Sequence, residues 1–278
     1  MSVIFNEAAH SYTSVDPSEN IIWTSVTSLV GNFKQPFDAA AVAKRVTKNK
    51  KSKWFGIPAK EIEAIWKGES ERAMGLGTFY HNQREDDLCS LASVQREGLN
   101  LPVYAPIVQE DGDKISPGQR LDDGIYPELM VFLKSASVCG QSDLVEVVNG
   151  KVNVIDYKTN KEIKMKSYVN WEGISQKLSS PLGHIEDCSF NHYALQLSIY
   201  MYIILKHNPK LKVGNIMIHH VKFEHAGQDE YGYPIIAKEN NGDPKVIEVT
   251  EIPVPYLKQE VITMTNWLHD NKHKLKKK

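Results

Sequence analysis

Cys139-Gly140-Gln141-Ser142-Asp143-Leu144-Val145-Glu146-Val147-Val148-Asn149-Gly150-Lys151-Val152-Asn153-Val154-Ile155-Asp156-Tyr157-Lys158-Thr159 decides how this chain is read. Asn149-Gly150 is the strongest short-range signal for a two-residue type I′ hairpin turn. If those residues form the loop, Val148 faces Lys151, and counting outward along both strands brings Asp143 opposite Asp156. Directly opposed side chains of an antiparallel pair sit roughly 4.5–5.5 Å apart at Cβ. Lys158, two residues beyond Asp156, falls on the same face by strand alternation. Two carboxylates that close repel each other. A divalent cation removes the conflict, because hard cations such as Mg²⁺ take carboxylate oxygens. A lysine beside them can orient a water or stabilise a phosphate. The arrangement points to metal-dependent phosphodiester cleavage.

Asp-x-Lys alone carries little information. Asp243-Pro244-Lys245 and Asp270-Asn271-Lys272 match it too, and Glu162-Ile163-Lys164 matches its looser acidic form. Pro244 argues against a central strand, and Asp270 introduces a lysine-rich tail. Only Asp156 has a strand on its N-terminal side and a partner acid at the matching register.

Composition narrows the class without choosing a function. The 278 residues suit one domain with elaborations, and the apolar and charged fractions are those of a globular protein. A formal net charge of −1 gives no overall basic signature for nucleic acid. Charge is nevertheless clustered: Lys48, Lys50, Lys51 and Lys53 follow Lys44 and Arg45 ahead of Trp54, and a second cluster closes the chain. Both are read either as solvated surface or as phosphate contacts. Three dispersed cysteines suggest neither a disulfide framework nor a zinc site, and cannot supply the four ligands of an iron–sulfur cluster. No leader pattern and no bilayer-length apolar run are visible, so a soluble, cytoplasmic protein is expected.

Along the chain, residues 3–13 read as a hairpin around Asn6-Glu7. Helices are expected from Thr24 to Phe33, from Pro36 to Lys48 and from Pro58, a favoured first helical position. Gly75-Leu76-Gly77-Thr78 is expected to break the chain before a helix from Phe79 to Val94. Loop character dominates Glu110 to Pro127. After the central hairpin, Lys161 to Asp187 has little periodicity. Phe190 to His207 is apolar on nearly all sides, as buried helices are. A strand from Asn215 to Phe223, a glycine-rich excursion at Gly227 to Gly242, a strand at Lys245 to Val249 and a helix from Pro255 to Asp270 complete an α/β pattern. Three units are expected: residues 1–74 as an N-terminal hairpin and helical elaboration that can contact DNA, 75–270 as the core, and 271–278 as a basic tail.

Several other residues can join the carboxylates. His81 and Glu85 stand four apart and share a helix face; imidazole would complete a Mn²⁺ site built on Asp143 and Asp156. His192, Gln196 and Tyr200 form a polar stripe on an otherwise apolar helix. They either satisfy one another or face the cleft, where Gln196 could hold Lys158 or a phosphate. Glu128, just ahead of the hairpin, is a further candidate acid.

In this order, Gly77-Thr78-x-x-His81-x-x-x-Glu85, Glu128, Gly140-x-x-Asp143, Asp156-Tyr157-Lys158-Thr159 and Gln196-x-x-x-Tyr200 resemble the PD-(D/E)xK nuclease superfamily. Among its branches the chain looks most like the RecB-type exonucleases, including phage-encoded and mitochondrial genome maintenance members; Ser25-Val26-Thr27 resembles a segment that precedes their histidine motif. The resemblance covers residues 24–205. It implies a restriction-endonuclease-like core, a central mixed sheet flanked by helices, with an N-terminal helical elaboration. It further implies Mg²⁺ or Mn²⁺ held by His81, Asp143, Asp156 and the Tyr157 carbonyl, with Lys158 positioning the attacking water. Gln196 and Tyr200 would support the substrate or the lysine.

The activity implied is a metal-dependent DNA exonuclease acting on single-stranded ends, in recombination, repair or phage DNA processing. DNA is then the partner, with a recombination or replication protein alongside, in a bacterial or phage-infected cell and away from membranes. A structure-specific endonuclease and an inactive nucleic-acid-binding nuclease fold are the alternatives. The chain departs from many relatives in lacking a four-cysteine iron–sulfur cluster, and its segment from Lys161 to Cys188 is long, open to roles as lid, arch or DNA guide. Within that segment His184, Glu186 and Asp187 are read either as substrate contacts or as structural, the structural role being the one expected.

Overall fold

The computed structural model describes residues 2–7, 9 and 11–275, with side chains as far as 271. The second basic cluster, and the tail unit expected at 271–278, fall almost wholly outside the described side chains. In chain order come the hairpin β1 (Val3–Asn6) and β2 (Ser11–Ser14), then β3 (Thr24–Ser25), α1 (Val26–Gly31), α2 (Ala39–Val46) and α3 (Ala59–Cys89). Short strands β4 (Ser93–Arg96), β5 (Leu99–Pro102), β6 (Ile107–Val108) and β7 (Lys114–Ile115) precede the long β8 (Gly124–Leu133), β9 (Val138–Val148) and β10 (Lys151–Lys158). They are followed by α4 (Ser189–His207), β11 (Lys212–Phe223), β12 (His225–Gln228), β13 (Pro234–Ile236), β14 (Val246–Pro253) and α5 (Lys258–Leu275).

The central sheet is mixed, with six strands in the order β14-β11-β10-β9-β3 and β8 paired to β9. Its turn is the expected one: Asn149 and Gly150 both have positive φ, 51° and 70°, the requirement of a type I′ turn. The register runs from Lys151↔Val148 to Ile155↔Leu144. There the ladder ends, one step short of Asp156 and Asp143. In place of continued pairing, the Tyr157 amide donates to Asp143 Oδ2 at 2.7 Å. The opening strand β3 then joins β9 further along, Ser25 beside Cys139.

Two layers cover the sheet. On one face α4 packs Leu195, Ile199 and Ile203 against Val145, Val152 and Val154 in the main core. Gly140 permits that approach, since a Cβ there would lie 2.9 Å from both the Tyr200 ring and Val26. A separate cluster joins Tyr80 of α3 to Leu144, Ile155 and Tyr157. Alternate residues of β10 therefore serve the two clusters, as a central strand must.

Four sequence expectations need correction. Gly75 and Gly77 do not break the chain: α3 runs without interruption from Ala59 to Cys89, across the expected boundary at residue 75. Each glycine costs about 1 kcal/mol against alanine in a helix, but packing at both ends outweighs that. Ile62, Ile65 and Trp66 cluster with Trp54, and Leu76, Phe79, Tyr80 and Leu88 join the second core. Val94 lies in β4 rather than a helix, and short strands β6 and β7 lie within and beside the stretch expected to be loop. The glycine-rich excursion likewise contains β13.

Candidate functional site

β8, β9 and β10 each bring one acid to the point where the sheet opens. Pro127↔Leu144 and Leu129↔Ser142 bracket Glu128 and Asp143 across the β8–β9 pair, and Asp156 follows Ile155 on β10. Glu128, Asp143 and Asp156 thus stand in one cross-strand row. Glu128 occupies the left-handed region, φ 48°, which costs a non-glycine residue of order 1–3 kcal/mol. The conformation breaks strand alternation once, so that Tyr126 and Leu129 both enter the main core although three residues apart. Its carboxyl is freed to turn toward Asp143.

His81, on α3, completes the cluster. One ligand atom from each of His81, Glu128 and Asp143 lies within 4.8 Å of the others. His81 Nδ1 is 3.6 Å from Asp143 Oδ1, and Nε2 is 3.0 Å from the Tyr157 carbonyl oxygen. A carbonyl only accepts, so Nε2 carries the proton and Nδ1 is left to face the acids. A carbonyl that accepts from one ring nitrogen and so fixes the imidazole is a recurring feature of metal-ligating histidines. The Tyr157 carbonyl, expected among the ligands, accepts this hydrogen bond from His81.

Asp156, the other carboxylate expected at the metal, is paired within the site. It is 1 % exposed, with Oδ2 2.5 Å from Lys158 Nζ, and Gln196 Nε2 donates to Oδ1 at 3.3 Å. Asp156 therefore holds the lysine, whereas Asp143 turns to His81 and the Tyr157 amide, and the two carboxylates diverge. Gln196 thus supports Asp156, the partner of Lys158, and not the lysine directly. Tyr200, below it on α4, is buried against Gly140. His192 leaves the polar stripe and pairs with Asp187 at 2.6 Å.

The electrostatics follow from this crowding. Burial, then Asp143, pushes the Glu128 carboxyl well above the ordinary glutamate range. Burial raises Asp156 to about 6, with Lys158 pulling it down and Asp143 pushing it up. Burial would lower the Lys158 ammonium, but Asp156 and Asp143 more than offset it and hold the group above the ordinary lysine value. Lys158 is a firmly held cation.

Two residues of the site had no motif to announce them. The Lys158 ammonium lies 4.9 Å from the centre of the Tyr193 ring; Tyr193 stands one turn before Gln196, a spacing that shares a helix face. Lys114, from β7, binds both oxygens of Glu85 at 3.0 and 3.1 Å.

Two openings meet at this point. A cleft of about 370 Å³ is lined by Ser25, Thr27, Glu128 and Asp143, and a larger groove of about 690 Å³ by Arg72, Lys161 and Lys222. Gly77, His81 and Lys158 border both.

The basic run lies elsewhere, in turns between α2 and α3. Lys48, Lys50 and Lys51 are exposed. Lys53 is committed to structure: its ammonium donates to the Tyr231 carbonyl at 2.6 Å and sits 4.6 and 4.7 Å from the Trp54 and Tyr233 rings. Within the long segment His184 meets Glu260, Glu186 accepts from the Ser167 amide, and Asp187 accepts from the Gln35 amide, the structural roles expected of them.

No protein-family model and no curated protein sequence matches this chain.

One imidazole and two carboxylates could together hold a divalent cation. Neutralising the crowded Glu128 and Asp143 would also relieve the repulsion that raises the Glu128 carboxyl.

Proposed function

We propose that this chain is a metal-dependent deoxyribonuclease of the PD-(D/E)xK type, an exonuclease acting on DNA ends. The observation that carries the reading is the Lys158–Asp156 pair standing beside the His81, Glu128 and Asp143 cluster. A structural metal site has no use for a buried ammonium next to its ligands, because that cation adds repulsion without ligation.

In this reading His81, Glu128 and Asp143 hold Mg²⁺ or Mn²⁺. When bound, such an ion lowers the pKa of its water and offsets charge on a phosphate. The remaining work belongs to the chain. Lys158 keeps its proton and presents a fixed positive charge to the phosphate, where charge builds in the transition state. Asp156 and the Tyr193 ring hold that ammonium in place, and Gln196 holds Asp156. Tyr157 supplies its amide to Asp143 and its carbonyl to His81, so one peptide segment aligns two ligands. Exonuclease action, single-stranded ends and a setting in recombination, repair or phage DNA processing rest on the resemblance of the motifs, as does a further protein partner.

End-labelled linear, blocked-end and circular DNA incubated in Mg²⁺ or Mn²⁺ test the proposal. Shortening of open linear strands with circles left intact supports it. Cutting of circles would replace it with the endonuclease alternative, and binding without any hydrolysis with the inactive one.

A further inference from the structure

The long segment between β10 and α4 buries apolar residues at both ends but leaves those of its middle outside. Both roots are anchored. Ile163, Leu178 and Leu182 enter the main core, and the Lys164 amide donates to Ser189 Oγ at 2.7 Å. Between them the chain folds into a small projection, closed by Gln176 N to Tyr168 O at 2.8 Å and Asn170 N to Ile174 O at 3.0 Å. The Asn170 side chain accepts from the Glu172 and Ile174 amides at 3.0 and 2.9 Å.

This local frame fixes the backbone without burying what it carries. Trp171 is 90 % exposed and Tyr168 71 %, and Met165, Val169 and Ile174 are exposed as well. Five large apolar residues within ten positions form a patch of the kind that marks a binding surface. Two facts on the molecule indicate its occupant. Lys161, Lys164 and Lys166 lead into the patch and are exposed, a mixture of cations and rings suited to phosphates and bases. The roots also straddle the candidate site. One begins at Lys158 and continues through Thr159, Asn160 and Lys161 along the larger groove; the other ends in the first turn of α4, where Tyr193 meets both Asn160 and Lys158.

We propose that this projection is a stacking platform for single-stranded nucleic acid. Trp171 and Tyr168 take unpaired bases while Lys161, Lys164 and Lys166 follow the backbone, delivering the strand along the larger groove toward Lys158. Base–aromatic stacking tolerates any sequence because every base has a π-face. The inference rests on the nuclease reading, since it takes the substrate of that site to be a nucleic-acid strand.

The test is binding of a fluorescent oligothymidylate in EDTA, read by anisotropy over a salt series, beside cleavage in Mg²⁺ or Mn²⁺. Both rings are exposed, so Trp171→Ala/Tyr168→Ala should melt as the parent does. We expect it to bind about tenfold or more weakly with an unchanged salt slope, the mark of lost stacking. Lys164→Gln/Lys166→Gln should instead flatten the slope by roughly 1.4, at about 0.7 per phosphate contact on single strands. Parent-like affinity in the aromatic variant, with the parent binding and cutting DNA, overturns the platform and leaves the nuclease reading standing. Loss of binding to anionic phospholipid vesicles, with DNA affinity intact, overturns it in favour of a membrane contact. A parent that neither binds nor cuts DNA overturns both.

Discussion

The Tyr157 amide donates to Asp143 Oδ2 at 2.7 Å, and the bond fixes which carboxylate oxygen is left for His81. An asparagine could keep it through its amide oxygen while losing the charge. Asp143→Asn should therefore fold, melt higher than the parent in EDTA because its repulsion with Glu128 is gone, and lose most of the stabilisation that Mn²⁺ gives by mass action. Differential scanning fluorimetry in EDTA and in Mn²⁺ checks this. A full Mn²⁺ shift in the variant would remove Asp143 from the metal site.

Lys158→Ala should reduce cleavage by a factor on the order of 10²–10³ or more, as losing a positioned charge-stabilising group does. It should also destabilise the fold. Asp156 is buried beside Lys158, and removing one partner of such a pair typically costs about 3 kcal/mol or more. Adding Asp156→Asn to Lys158→Ala should recover part of the melting temperature and none of the activity. A double-mutant cycle with additive stabilities would show that the pair does not couple.

The raised carboxyls set a pH dependence for the metal-free protein. Glu128 lies well above its ordinary 4.5 in the folded state, so the native form binds its proton at pH values where the unfolded chain has released it. Stability contributed by that proton is present below pH 4.5 and is lost as pH rises toward the folded value. Relative to the parent in EDTA, Glu128→Gln should match at pH 4 and melt progressively higher as pH rises to 8. Saturating Mn²⁺ should shrink the gap by stabilising the parent. A constant difference across the series would contradict the burial of Glu128 beside Asp143.

The basic run divides by environment. Lys48→Gln/Lys50→Gln/Lys51→Gln should weaken binding of a single-stranded oligonucleotide and flatten its salt slope by about 2, if all three meet phosphates, with the melting temperature unchanged. Lys53→Gln should lower the melting temperature instead, because its ammonium ties the turn to Tyr231, Trp54 and Tyr233. Unchanged affinity and slope in the triple variant would assign the run to plain surface.

The hairpin was legible because its signals are local. A two-residue turn with positive φ fixes the register, and a period of two then assigns every side chain. The nearness of Asp143 and Asp156 followed from that register, but the direction of each carboxylate did not. Asp156 turns to Lys158 and Gln196, and Asp143 to a backbone amide, through contacts made only where the strands part. Glu128 carried a weak signal because its left-handed backbone breaks the alternation by which a strand is recognised. Gly75 and Gly77 misled for the opposite reason, as a local helix penalty is outweighed by packing at both ends of α3. Lys53 could not be separated from its neighbours, since its partner lies 178 residues away.

That unbroken α3 has a mechanical meaning. From Trp66, seated on Trp54, to His81, beside the acids, the chain climbs in a single rigid screw of about 22 Å at 1.5 Å per residue. A screw couples length to direction. Removing one residue between those two points would shorten the span by about 1.5 Å, yet it would rotate the imidazole by about 100°. The stem that carries His81 can change only by whole turns, so the aromatic seat around Trp54 sets the bearing of a residue about four turns away.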